Sequence, residues 1–236
     1  MRLLIDDLVR DATLSTDVSS ANYPVTNVQH RFLKRRYQPS DTDATITVTF
    51  DAVSSVDCFF YSYHNLTAIA VRLYNSGDSL LHTETISSPE SGAGAVYFTS
   101  VASVAYAEVD ITSGASAYIG GIGLGEYLDI GRPLADFRER LIDNAAVSVS
   151  PAGQTQQVYV EPFGGDSYTV PNMSRDTLFD LREAVAAVGR ANGMWIDPFY
   201  LNHSYRLPFY GRIVSPIESQ KNGNTFDLPI EFQEMN

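Results

Sequence analysis

Over most of the chain, hydrophobic and polar positions alternate in short stretches, which is the pattern of β-strands. The stretch Thr45–Phe50 alternates strictly, and Val56–Tyr63 is apolar on both faces, as expected of a strand that is covered on both sides. Strand patterns at Ile69–Tyr74 and Leu80–Ile86 flank a polar turn and predict a hairpin. Because no helical pattern separates these strands, we expect an antiparallel β-sandwich or jelly roll in the first half.

One stretch in the second half has helical periodicity instead. Apolar residues between positions 178 and 188 recur at spacings of three and four, which predicts an amphipathic helix over about 175–191 that ends before Gly193. A helix this short needs a sheet to cover its apolar side. The side chains expected to form this core are Leu178, Leu181, Val185, Val188, Trp195 and Phe199.

The chain changes character near residue 125, where a glycine-rich run is followed by a more charged segment. We therefore predict two domains, residues 1–125 as a sandwich and residues 126–236 as a β domain with one packed helix. The last strand pattern places Phe226, Leu228, Ile230 and Phe232 on one face. It also contains Pro229, which lacks an N–H group, so we expect an edge strand.

Composition and charge exclude several classes of protein. The chain of 236 residues has a formal net charge of −12, which disfavours specific binding to nucleic acid. Its single cysteine excludes an intramolecular disulfide, and no apolar run is long enough for a membrane span. The acidic start does not resemble a signal peptide, so we expect a soluble protein made in the cytoplasm.

Motifs of catalysis and cofactor binding are absent from the sequence. The run Gly120–Gly125 has the wrong spacing for a dinucleotide fingerprint and predicts an ordinary glycine-rich strand end. The four histidines are scattered, so we predict no metal site, no cofactor and no catalytic residue. Two weaker alternatives remain: a Ca²⁺ site at Asp41 and Asp43, and a pair of carboxylates as in glycoside hydrolases.

Two clusters are candidates for binding. The basic cluster Arg31, Lys34, Arg35 and Arg36 could contact an acidic partner or another subunit, or could be a solvated loop. The second cluster, Tyr61, Tyr63 and His64, lies near the end of a strand. It could stack on a sugar ring or could pack against the core.

The order of motifs in the first half resembles a known family. The segment Ser19–Val28, the basic cluster with its aromatic residues, the strand Thr45–Asp51 and the corner His64-Asn65-Leu66 follow one another as in galactose-binding-like (discoidin-type) jelly rolls. These jelly rolls occur in structural proteins of tailed phages. The resemblance implies a galactose-binding-like fold for the first domain.

The second half resembles the tail-tube-like domains of minor and distal tail proteins. The similarity rests on the glycine run, the helix entry at Arg175–Leu178, the segment Gly193–Phe199, Tyr210–Ile213 and the final Leu228–Met235. It implies a non-enzymatic component of the virion tail tip, of the distal tail or hub-adaptor type.

The tail resemblance also implies partners. Copies of the chain would form a ring, a hexamer or a trimer, and would contact other tail proteins. The basic cluster and Phe232 would then be candidates for the subunit interface. The alternative is a carbohydrate-binding module whose first domain recognises glycans of the host surface.

Overall fold

The computed structural model describes residues 1–29, 35–134, 138–142, 146–149, 155–158, 163–189, 193–204 and 206–235. Within these ranges the chain is mainly β with one long helix, which confirms the predicted fold class. The strands in chain order are β1 (Arg2–Leu4), β2 (Thr13–Thr16), β3 (Asp43–His64), β4 (Ala68–Tyr74), β5 (Leu80–Ser87), β6 (Ala93–Thr112), β7 (Ile119–Gly125), β8 (Leu128–Asp129), β9 (Arg138–Ile142), β10 (Ala146–Val149), β11 (Thr155–Val158), β12 (Phe163–Met173), β13 (Met194–Asp197), β14 (Phe209–Ile213), β15 (Gln220–Asn222) and β16 (Thr225–Glu234). The helices are α1 (Leu8–Asp11), a 3₁₀ turn at Val25–Gln29, and α2 (Arg175–Val188).

The first domain is a sandwich built around two long strands, β3 and β6. They pair with each other along their length, and the register shifts between Thr49 and Cys58. The first half of β3 and the second half of β6 join β2, β4 and β5 in one layer, whereas the second half of β3 pairs with β7 in the other layer. Val48 and Phe59, from the two layers, share one core. The predicted β4–β5 hairpin is confirmed.

The second half of β3 is covered on both faces, as its sequence predicts. Phe59 faces the core of the sandwich, while Cys58 and Phe60 face the second domain. The glycine-rich run forms the neighbouring strand β7, where a Cβ atom at Gly123 would overlap the indole of Trp195. The glycines therefore let the two domains approach closely. The run was predicted as the end of a strand, but together with Ile119 it forms the whole of β7.

The main sheet of the second domain has the strand order β8-β1-β13-β14-β16-β12-β9, and β15 pairs with β16, while β10 and β11 form a separate two-stranded sheet. Helix α2 packs on one face of the main sheet, where Leu178, Leu181 and Val185 are buried. The opposite face packs on the first domain. The molecule is therefore layered in the order helix, second sheet, and the two layers of the sandwich.

Trp195 lies on the face of the sheet that is opposite to α2, so its predicted packing beside the helix is wrong. Neighbouring residues on a strand point to opposite faces, and Met194 and Ile196 take the helix side. Trp195 instead stacks on Phe60, with a centroid distance of 5.7 Å. Phe199 is in the helix-side core as predicted, and the side chain of Val188 lies outside the described residues.

A buried carboxylate fixes the contact between the domains. Asp7 accepts hydrogen bonds from Val9 N at 3.0 Å, Leu124 N at 3.2 Å and Trp195 Nε1 at 3.1 Å. Burial is the main cause that raises its pKa to about 6, although the three hydrogen bonds act in the opposite direction. Asp7 thus ties α1, β7 and β13 to one another.

The domain boundary needs one correction. We predicted residues 1–125 as one unit, but β1 pairs with β13 and β8 in the second sheet. β1 joins this sheet because both of its faces are buried there. Leu3 lies in the helix-side core, and Leu4 lies in the core between the domains. The second domain therefore includes a strand that precedes the first domain in the sequence.

The final strand β16 is central, so the predicted edge strand is wrong. Glu231 donates its backbone N–H to Ser215 Oγ, and its C=O accepts a hydrogen bond from Val214 N. Because every second residue of a strand directs its backbone groups to the same side, the backbone of Pro229 faces this side as well. On that side the pairing with β14 ends at Phe232 and the pairing with β15 ends at Asp227. The missing N–H of Pro229 therefore falls in the gap between β14 and β15, where a central strand tolerates proline.

Phe232 is 1% exposed and packs in the helix-side core with Leu228 and Ile230. The shared face that the sequence predicts is confirmed for these three residues. The assignment of Phe232 to a subunit interface is wrong, because an inward-facing side chain of a central strand cannot contact another subunit.

Helix α2 begins after Ser174, whose side chain accepts a hydrogen bond from Thr177 N, and ends at Val188. The predicted end before Gly193 is too late. Gly189 adopts a φ of 83° and donates its N–H to Val185 O, which ends the helix at no steric cost for glycine. In the described part of the chain, no helix is long and apolar enough to cross a membrane.

Candidate functional site

Tyr63, at the end of β3, is an exposed aromatic residue with unusual backbone geometry. Its φ of 48° is in the left-handed region, which is rare for a bulky side chain. Alternation along β3 would point this side chain inward with Phe59 and Tyr61, but the ring is 40% exposed and lies beside Tyr118 at 5.7 Å. Backbone strain of this kind is found preferentially at functional sites.

The two other predicted residues of this corner are structural. Tyr61 is 3% exposed in the sandwich core, so its ring offers no free face and the predicted sugar contact is wrong for this residue. His64 Nδ1 accepts from Leu66 N at 3.1 Å, so Nε2 carries the proton and donates to Glu90 O at 2.9 Å. Burial lowers the pKa of His64, which favours this neutral form.

Tyr63 belongs to a larger group that four separate segments bring together. The Arg36 guanidinium lies over the ring of Tyr118 at 4.6 Å and over the ring of Tyr23 at 5.4 Å. With Tyr63 next to Tyr118, the order is Tyr23, Arg36, Tyr118, Tyr63. We call these four residues the tyrosine–arginine row. Tyr23 is 41% exposed, so both ends of the row face solvent.

The backbone that carries the row is held firmly. Tyr37, next to Arg36, is fully buried, and its N–H and C=O both pair with Ile119 at 2.9 and 3.0 Å. Asn27 Nδ2 donates to Arg36 O at 2.9 Å. Asn65 closes the other side, because its side chain bonds Ser116 O and Tyr118 N, each at 2.8 Å. Arg36 and Tyr118 are therefore preorganised on ordered segments.

The other two predicted clusters, the basic cluster and the Asp41–Asp43 pair, provide less support for a binding site. Of the basic cluster, Arg31 and Lys34 lie outside the described residues, Arg35 is exposed, and Arg36 is in the row. Asp41 and Asp43 are exposed and both accept hydrogen bonds from Thr42. Within the described ranges no group of three or more His, Cys, Asp or Glu could hold a metal ion, so the Ca²⁺ alternative gains no further ligand there.

A second polar cluster joins the two domains. Asp197, which is fully buried, accepts from Tyr97 Oη at 2.8 Å and from His203 Nε2 at 3.0 Å. The other ring nitrogen, His203 Nδ1, donates to Glu90 at 3.0 Å. The hydrogen bond to Asp197 is the main cause that raises the pKa of His203. Since both nitrogens face carboxylates, His203 acts as a latch between domains and has no free nitrogen for catalysis.

The outer face of the β2-β3-β6-β4-β5 layer carries a third polar group. The rings of Tyr74 and Tyr106 stack at 4.8 Å, and their hydroxyls donate to Glu108 and Asp78. Arg72 pairs with Glu108 at 3.1 Å and also with the neighbouring Asp110. These side chains form hydrogen bonds and ion pairs with one another. Fewer of their polar groups are therefore available to a ligand than in the tyrosine–arginine row.

Sequence reasoning missed Tyr23 and Tyr118 and placed Arg36 in a different role. The four residues of the row are separated by 13, 27 and 55 positions, as their numbers show. The small polar residues before Tyr118 are the only local signal, and they predict a loop. They do not indicate which residues Tyr118 contacts. The row depends on the Tyr37–Ile119 bridge, which sequence periodicity cannot reveal.

No protein-family model and no curated protein sequence matches the chain. Among solved structures, chitosan-binding module 1 from a chitosanase/glucanase of Paenibacillus sp. IK-5 aligns with 12% identity and a TM-score of 0.44, over 51% of this chain and 98% of the module. The lectin domain of lectinolysin, in complex with Lewis B antigen, has 12% identity and a TM-score of 0.45, over 50% and 95%. A Streptococcus pneumoniae fucose-binding module has 9% identity and a TM-score of 0.44, over 51% and 98%.

Proposed function

We propose that the chain is a non-catalytic glycan-binding protein and that the glycan lies on the tyrosine–arginine row. The observation that carries this proposal is the row itself, in which the exposed Tyr23 and Tyr63 and the half-buried Tyr118 lie together with a guanidinium. A pyranose ring has apolar C–H faces that pack on aromatic rings, and hydroxyl groups at its edge that accept hydrogen bonds from a guanidinium.

The arrangement fits binding better than catalysis. The most strongly buried carboxylate near the domain contact, Asp197, is 0% exposed and is already bonded to Tyr97 and His203. The row contains no carboxylate, histidine, serine or cysteine, and no general base is hydrogen-bonded to its tyrosines among the described residues. Its groups offer surface and hydrogen bonds, which are the requirements of recognition.

A glycan array with the intact protein tests this function. We expect binding, and we expect Tyr118→Ala to weaken it by about ten-fold or more, because the substitution removes the central ring of the row. Tyr118→Phe should retain most of the affinity, since the ring remains. Tyr74→Ala is the matched control, because Tyr74 also contacts another tyrosine ring but lies on another face. An array without any binding, or an equal loss in Tyr74→Ala, would contradict the proposal.

A second candidate function is favoured by the second domain. Its sheet has two terminal strands, β8 and β9, and each of these pairs on one side only among the described residues. Unpaired edges at both ends of the described sheet would allow copies to pair head to tail and to close a ring. This agrees with the tail-tip role implied by the sequence resemblance, in which the chain would connect the tail tube to tip proteins in the virion.

The mass of the protein in solution tests the ring. The intact chain must be used, because a fragment of residues 126–236 would lack β1 and would lose a strand from the middle of the sheet. Light scattering should give a trimer or a hexamer at high protein concentration. A monomer at every concentration would contradict this second function and would leave the glycan proposal unaffected.

A further inference from the structure

We infer that the glycan bound by the row is anionic and that Arg36 holds its carboxylate or sulfate group. This inference rests on the proposed glycan-binding function and adds the chemical class of the ligand. It follows from the Arg36 side chain, which packs on two tyrosine rings, whereas four arginines of the same fold are paired with carboxylates.

Four other arginines are paired with carboxylates. Arg2 contacts Asp129, Arg10 contacts Asp11, Arg72 contacts Glu108 and Asp110, and Arg206 contacts Asp166 and Glu234. In the described part of the chain, no oxygen accepts a hydrogen bond from the Arg36 guanidinium, and no carboxylate lies within ion-pair distance of it. Its contacts are the faces of Tyr23 and Tyr118, which leave the N–H groups at its edge available.

The acidic residue beside the Tyr63 corner, Glu90, is engaged elsewhere. Glu90 belongs to the loop next to the Tyr63 corner, and its backbone carbonyl accepts from His64. The carboxylate of Glu90 is turned to His203, at 3.0 Å. In a chain with a net charge of −12, a guanidinium that has no acidic partner among the described residues attracts anions locally.

The geometry suits a planar anion on a sugar. A guanidinium that packs on two aromatic rings is restricted in orientation, and its parallel N–H groups match the two oxygens of a carboxylate or sulfate. Tyr63 lies next to Tyr118, so these two rings offer the sugar an aromatic surface beside Arg36. A neutral sugar would use the rings but would leave this charge unpaired.

The test is an array that presents neutral glycans beside sialylated, uronate-containing and sulfated ones, probed with the intact protein and with Arg36→Gln. The strongest signals should come from anionic glycans. Comparing the sialylated and uronate-containing glycans with the sulfated ones shows whether a carboxylate or a sulfate is preferred. Arg36→Gln should weaken those signals by about ten-fold to a hundred-fold, because charge-assisted hydrogen bonds are lost. Raising the salt concentration should weaken them as well.

Arg175→Gln serves as the matched control, because it removes the same charge from an exposed position at the start of α2. It should bind like the unmodified protein. If the strongest signals come from neutral glycans and depend on Tyr118 but not on Arg36, the anionic preference is overturned and glycan binding by the row stands. If no glycan binds, the proposed function fails, and this inference fails with it.

Discussion

Replacing Gly123 with valine should lower the free energy of unfolding by about 3 kcal/mol. The side chain would enter the space of the Trp195 indole, which packs directly on this glycine. Moving the indole would also break its hydrogen bond to the buried Asp7. Both effects act on the contact between the two domains, so this single position tests how that contact is built.

Urea denaturation followed by tryptophan fluorescence measures the effect, since Trp195 is the single tryptophan in the chain. We also expect the emission of the folded Gly123→Val protein to shift to longer wavelength, because the indole becomes more exposed. Gly114→Val is the control, as Gly114 is exposed and a Cβ there has no atom within 4 Å. A Gly123→Val protein with unchanged stability and emission would show that the domains do not pack through β7.

Replacing Arg206 with methionine should cost about 3–5 kcal/mol, because it leaves a buried carboxylate without its partner. Arg206 Nε donates to Asp166 at 3.0 Å, and Nη2 donates to Glu234 at 3.1 Å. Asp166 is 4% exposed and also accepts from Tyr168 Oη. Burial disfavours the charge on Arg206, but the two carboxylates outweigh it and raise its pKa.

A double-mutant cycle separates the pair from the rest of the site. Asp166→Asn combined with Arg206→Met should cost less than the sum of the single changes, because the double variant has no buried charge left unpaired. Arg212→Met is the control on the neighbouring strand, where the arginine bonds the neutral Gln233 at 2.8 Å. That variant should lose less than about 1.5 kcal/mol. Additive costs in the cycle would show that Asp166 does not depend on Arg206.

Arg206 matters for the domain contact as well as for stability. It anchors the segment between β13 and β14 to β12 and β16, through Asp166 and Glu234. The same segment carries His203, which reaches Glu90 in the first domain. Loss of the anchor is therefore expected to loosen the latch between the domains.

Local periodicity predicted the elements whose residues repeat along one face. The spacing of Leu178, Leu181 and Val185 placed α2 and its buried side, and alternation placed Ile230 and Phe232 on one face, which is buried. These inferences succeed because burial on one face of a helix or strand leaves a pattern in the sequence itself.

Neighbours that come from distant parts of the chain leave no such pattern. Nothing near Arg2–Leu4 shows that it pairs with β13, almost two hundred positions later, and so the domain boundary was misplaced. Pro229 suggested an edge strand. The gap between β14 and β15 that accommodates this proline depends on the order of strands in the sheet, which the local sequence does not show. The left-handed backbone of Tyr63 also lacks a local signal, since tyrosine rarely adopts it.

The most direct test of glycan binding by the row is a crystal structure of the intact protein with the glycan that gives the strongest array signal. We predict a sugar ring against Tyr118 and Tyr63, with an anionic group at Arg36. A glycan bound instead at Tyr74 and Tyr106, or beside His203, would contradict the assignment of the site to the tyrosine–arginine row.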